Sequence, residues 1–174
     1  MVRWPRNPSC LLLGFVWFGM AITRSAHALT PLLLFALPTA AAHRVLVPQP
    51  QEIRYGAGRV PVCSVGLKLA KDAAAEDQFA AGEFARIRSK HCGSSLKPSA
   101  FIEVKRTGSV APLPVPGEAG GPSSREFYSL DIGATGGWLL ARSTAGIFYG
   151  IQTLRQLVEG EGAEASWPEV DIRD

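Results

Sequence analysis

The stretch from Gly146 to Val158 constrains the fold most. Phe148, Ile151, Leu154 and Leu157 or Val158 recur at three- and four-residue intervals, so an α-helix places them on one face. Ser143 or Thr144 can cap its start, and Gly160-Glu-Gly162 stops it. A helix with one apolar face needs another layer to bury that face against. The residues just before it supply one. Glu126–Ile132 and Trp138–Arg142 read as two strands, joined across Gly133-Ala-Thr-Gly-Gly137 as a hairpin with a glycine-rich turn.

Upstream, Val45–Arg54 contains Pro48 and Pro50, which exclude helix and leave an extended edge segment. Tyr55-Gly-Ala-Gly58 reads as a turn. Arg59–Leu69 is strand-like, with Val60, Val62 and Ser64 on one face and Cys63, Val65, Leu67 and Leu69 on the other. Asp72 is positioned to cap a helix running to about Lys90, with an apolar stripe of Phe79, Phe84 and Ile87, extended by Ala80 and Ala85. Glu76, Asp77, Glu83, Arg86 and Lys90 fall off that stripe, with acids early and bases late as the helix dipole prefers. Cys92-Gly93 ends it. Phe101–Arg106 alternates as a strand, Thr107–Ser124 is a long loop rich in Gly, Pro and Ser, and the tail to Asp174 reads as a linker. The expected class is α+β, in the order β-α-β-β-β-α, with two helices packed on one face of a mixed sheet.

Charge narrows the function classes. The first 42 residues hold Arg3, Arg6 and Arg24 and no acid, so the remaining chain balances 15 Lys and Arg against 15 Asp and Glu. Nothing there argues for nucleic acid or an anionic surface. The two apolar runs of the leader, Cys10–Ile22 and Leu29–Ala42, each fall short of the ~18 apolar residues of a membrane span and fit a signal-peptide core. Ala26-His27-Ala28 and Ala40-Ala41-Ala42 are candidate cleavage sites, the second preferred; Met20 offers an alternative start. An uncleaved anchor made from both runs is the competing reading, which Arg24 and Pro31 interrupt. The domains expected are thus a leader over 1–42 (or to 28), an α+β domain over 43–160 and a linker over 161–174, with no stable membrane anchor after cleavage. Cys63 and Cys92 then remain, as one disulfide or as two small buried thiols.

Chemistry is sparse. A glycosidase needs two groups flanking the scissile bond. The sequence has no Asp-Glu dipeptide, and the reversed pair Glu76-Asp77 reads as a solvated helix surface. Gly133–Gly137 lacks the Lys-Ser/Thr of a phosphate loop. Cys63, His91 and Cys92 lack paired metal-ligand spacing. Phe127, Tyr128 and Trp138 can stack on sugar, pack a core or face a neighbouring domain. No catalytic, cofactor or metal residue is assigned.

The chain resembles the N-terminal accessory domain of bacterial β-N-acetylhexosaminidases, glycoside hydrolase family 20. The resemblance rests on the helix Gly146–Val158, with Phe148, Tyr149, Gln152, Thr153 and Leu154 in family-like positions. It is carried also by the opening Val47-Pro-Gln-Pro-Gln-Glu-Ile53, by Glu126-x-Tyr128-x-Leu130-x-Ile132, and by Trp167–Asp174, after which the family's catalytic barrel begins. It implies export to the periplasm or the outside, a domain packed against a barrel, and glycan contact only through that barrel. With no barrel residues before the chain stops, it implies that this chain by itself is no hydrolase, as a fragment or the product of an interrupted gene. A stand-alone exported carbohydrate-binding module is the alternative.

Overall fold

In the computed structural model, residues 45–93 and 96–174 are described; the leader and both of its cleavage sites lie outside them. Six strands form one mixed sheet. They are β1 (Glu52–Pro61), β2 (Val65–Lys68), β3 (Ala100–Arg106), β4 (Tyr128–Gly133), β5 (Gly136–Ala141) and β6 (Ser166–Arg173). The helices are α1 (Ala75–His91) and α2 (Thr144–Leu157). The spatial order is β1-β6-β4-β5-β3-β2, with β2–β3 and β3–β5 parallel and the other pairs antiparallel. The fold is α+β, a mixed sheet with two helices.

Both helices lie on one face. Leu130 pairs with Leu139 and Ile172, and Val104 with Leu139, so these side chains share a face. Leu139 reaches α2 so closely that a Cβ on Gly150 would stand 2.4 Å from its Cδ1. From α2, Ile147, Ile151, Leu154 and Leu157 are buried; from α1, Ala80, Phe84 and Ile87. The β4–β5 hairpin needs glycine for two reasons. Gly136 has φ +117°, and a Cβ on Gly137 would sit 1.9 Å from the Asp131 carbonyl oxygen.

Several local expectations give way to packing. Tyr55–Gly58 is no turn: it lies inside β1, where Gly56–Gly58 bulges opposite Glu169, whose carboxylate accepts from Gly58 N at 3.0 Å. The Arg59–Leu69 strand is broken by a 3-10 turn at Val62–Ser64, so its two halves occupy opposite sheet edges. Helix α1 is capped at Ala74, not Asp72, because Asp77 reaches back to accept from Ala74 N at 3.2 Å. Phe79 is 62% exposed and Ala85 is exposed as well, since the inward row is Asp77, Ala80, Phe84, Ile87.

The largest correction concerns the tail. Residues 166–173, expected as linker, form β6, which sits between β1 and β4. Trp167 is fully buried, stacks on Phe84 with ring centroids 5.9 Å apart, and donates its Nε1–H to the Leu154 carbonyl at 2.8 Å. That carbonyl belongs to the last turn of α2, which has no helical partner for it.

We expect Trp167→Ala to cost about 3–5 kcal/mol, the usual range for a buried aromatic, read from urea unfolding; a loss below about 0.5 kcal/mol, the size of an ordinary surface change, refutes this packing. A second expectation concerns pH. Tyr128 is buried, its hydroxyl 2.7 Å from Thr153 Oγ1, and burial pushes its pKa from 10.0 to about 12. The folded chain therefore holds this proton more tightly than the unfolded chain. The contribution is intact below about pH 10 and lost as pH rises from there through about 12. Tyr128→Phe should flatten that part of the alkaline stability profile; an unchanged slope refutes it.

Candidate functional site

The residues singled out in α2 divide by face. Leu154 is fully buried and Thr153 is buried against Tyr128; Phe148 is half-buried at the core's edge. Tyr149, 36% exposed, meets Phe148 edge-on at 6.0 Å, and Gln152 is half-buried. Ile147, which the three- and four-residue pattern from Phe148 passes over, takes a core position instead. Leu154 and Thr153 hold the helix down, while Tyr149 is presented outward.

Glu76-Asp77 is not a solvated pair. Asp77 is 3% exposed and ties three elements together: it accepts from Ala74 N, from Arg106 Nε at 3.2 Å and from Thr144 Oγ1 at 2.7 Å. A buried carboxylate is tolerable when it is paired and hydrogen-bonded in this way. The network joins the starts of both helices to the end of β3. Asp77 is thereby committed to structure, and no general acid or base role is open to it.

Cys63 and Cys92 are bonded to each other, S–S 2.13 Å, with Cα atoms 5.4 Å apart. The bond fastens the end of α1 to the 3-10 turn before β2. Both sulfurs are consumed, so neither can join His91 as a metal ligand. Among the described residues no group of three or more His, Cys, Asp or Glu could hold a metal ion.

Two surfaces remain. Between the C-terminal halves of the helices runs a groove of about 680 Å³, lined by Glu83, Arg86, Lys90, His91, Arg155 and Glu161 among others. Arg86 pairs with Glu83, and Glu161 is the other carboxyl of the lining. The other surface is the sheet face turned away from the helices. Cross-strand pairing sets Lys68, Glu103, Trp138, Asp131, Asp171 and Arg54 in one row across all six strands. Lys68 donates to Glu103 at 3.0 Å, and that hydrogen bond holds the Glu103 carboxyl below its ordinary pKa. Asp131 is shifted upward, first by burial and then by the charge of Asp171 opposite. Trp138 stands 40% exposed between them. Of the aromatic trio, Tyr128 is core, Trp138 is on the open face, and Phe127 lends its carbonyl to Arg142 N. The acidic pairing on the open face is not written locally in the sequence: Asp131 and Asp171 are 40 positions apart and meet only through the β4–β6 pairing.

Comparison with known proteins places this architecture. Residues 43–174 match the family model described as glycosyl hydrolase family 20, domain 2. Vibrio harveyi N,N'-diacetylchitobiase is 28% identical over 138 residues, which are 79% of this chain and 14% of that protein. Two solved structures share the fold. Flavobacterium johnsoniae chitobiase aligns at 18% identity with TM-score 0.52, over 73% of this chain and 20% of its own. Streptomyces plicatus N-acetyl-β-hexosaminidase aligns at 24% with TM-score 0.51, over 73% and 25%. The chain thus spans a quarter or less of these relatives. With its six-stranded sheet, its paired helices and a match that runs from residue 43 through β6, the chain belongs to glycoside hydrolase family 20, as domain 2.

Proposed function

We propose that this domain is the non-catalytic support of an exported β-N-acetylhexosaminidase, held beside a glycosidase barrel that removes terminal N-acetylhexosamine residues. The observation that carries the proposal is the matched span. It takes in the whole six-stranded unit yet corresponds to only 14% of the chitobiase relative, so the hydrolytic machinery of such a protein has its place elsewhere. The chemistry of this domain agrees. Asp77 is locked in a structural network. The barrel is supplied by the same polypeptide or an adjacent frame, and glycan substrate is met through it.

The helix layer is the surface we assign to the barrel. Phe79 on α1 and Tyr149 on α2 are large apolar side chains left in water there, and exposed apolar area favours association. Export is supported by the Cys63–Cys92 bond, which suits an oxidising compartment, and by the signal-like leader.

Two outcomes test this reading. The chain alone should leave an aryl N-acetyl-β-glucosaminide at the blank rate; turnover well above blank refutes it. In light scattering near neutral pH, the leaderless chain should self-associate, and replacing Phe79 and Tyr149 together with Ser should reduce that association. A stable monomer at high concentration would refute the orphaned surface and favour an independent binding module.

A further inference from the structure

The open face of the sheet carries an unresolved electrostatic conflict beside an exposed aromatic ring. Asp131 on β4 and Asp171 on β6 are direct cross-strand partners. Like charges placed opposite each other destabilise a sheet. Arg54, opposite Asp171 on its other side, gives its guanidinium to Glu52 instead. Asp171 Oδ1 is buried and has no hydrogen-bond partner, although a buried acceptor left unmade costs free energy. Burial raises the Asp131 pKa, and the charge of Asp171 opposite raises it further.

Immediately beside this pair, Trp138 is the cross-strand partner of both Asp131 and Glu103. Its indole is not needed by the core, which lies on the opposite face. It stands at 40% exposure near the middle of the sheet, with Phe101, also exposed, two residues from Glu103 along β3. The arrangement is an apolar plate rimmed by hydrogen-bond acceptors.

Two ligands would relieve the conflict. A cation would neutralise the carboxylates, but the described residues offer no third His, Cys, Asp or Glu ligand to complete a site, and a cation gives the plate no purpose. A pyranose ring suits what the face presents: its C–H face covers an aromatic plate, and a hydroxyl donates to the Asp131 carboxylate beside that plate.

We propose that this face binds one sugar ring of a β-linked N-acetylglucosamine chain, stacked on Trp138 with a hydroxyl donated to Asp131 beside it. The sugar class rests on the function proposed above; the plate and its acceptors do not. The site lies on the face opposite the helices, so it stays open when the helix layer is covered. It would hold a glycan chain near the barrel without taking part in cleavage.

The test is calorimetric titration of the full chain with N,N',N''-triacetylchitotriose and, separately, with cellotriose. Saturable millimolar binding of the chitin trimer, weakened about tenfold or more in Trp138→Ala and in Asp131→Asn, is the expected result; tenfold corresponds to about 1.4 kcal/mol. The thermal melt of Trp138→Ala should stay near the parent, since its side chain does not serve the core, and that of Asp131→Asn should stay level or rise, since it removes the like charge opposite Asp171. Absence of saturable binding up to about 10 mM, a limit of weak association, overturns the proposal. So does binding that both variants leave unchanged. Equal affinity for cellotriose, lost in Trp138→Ala, overturns the N-acetylglucosamine assignment. It would leave the hydrolase-support reading to its own assay. A dimer that Trp138→Ala dissolves, with no response to sugar, overturns the proposal in favour of a second copy of the chain.

Discussion

Everything on one side of the sheet hangs on Trp167. Strand β1 pairs only with β6, and β6 joins it to β4 and hence to the rest. Trp167 is the point at which β6 is fixed to both helices, by its stack on Phe84 of α1 and by its bond to the last turn of α2. The ring brings a large apolar area and one donor, and the donor meets a carbonyl that α2 cannot satisfy itself. Strand β1 is thus held in the sheet only through β6. Such a sheet is rich in non-local pairing, the kind that forms late.

A second anchor sits at the other end of the helices. Asp77 collects the cap of α1, the hydroxyl that opens α2 and the guanidinium at the end of β3. Removing one partner from such a network leaves a buried charge uncompensated, which costs more than the pair gains over an apolar equivalent. Its value is in alignment: it sets how α1 and α2 start relative to the sheet. With the Cys63–Cys92 bond at the far end of α1, the helix is held at both ends, and its exposed row is presented as a fixed surface.

The two faces of the domain then have different characters. The helix layer hides the core and leaves Phe79 and Tyr149 outward, as a domain does when it is built to be covered. The sheet face is polar, with one aromatic plate set beside carboxylates, as a surface does when it meets small hydroxylated ligands. These characters are compatible with one another, because the proposed barrel contact and the proposed sugar contact use opposite sides.

The sequence by itself determined the two amphipathic helices, the glycine hairpin and the kinship carried by α2, since each is written in periods of a few residues. Leu154 and Ile151 lie buried because helical spacing dictates it. Tertiary structure alone decided the rest. Phe79 and Asp77 exchanged places because two residues two apart differ by about 200° around a helix, and only the neighbouring Arg106 and Thr144 make the acid the better inward choice. The tail is a sheet strand because it is the element through which β1 joins β4. Val170 and Ile172 do alternate with Glu169, Asp171 and Arg173 in the period of a half-buried strand, but which strands they join is not written there. The acidic pair beside Trp138 followed from the same event: residues 131 and 171 become neighbours only once β6 is in the sheet, and cross-strand partners are set by register, which no local pattern records.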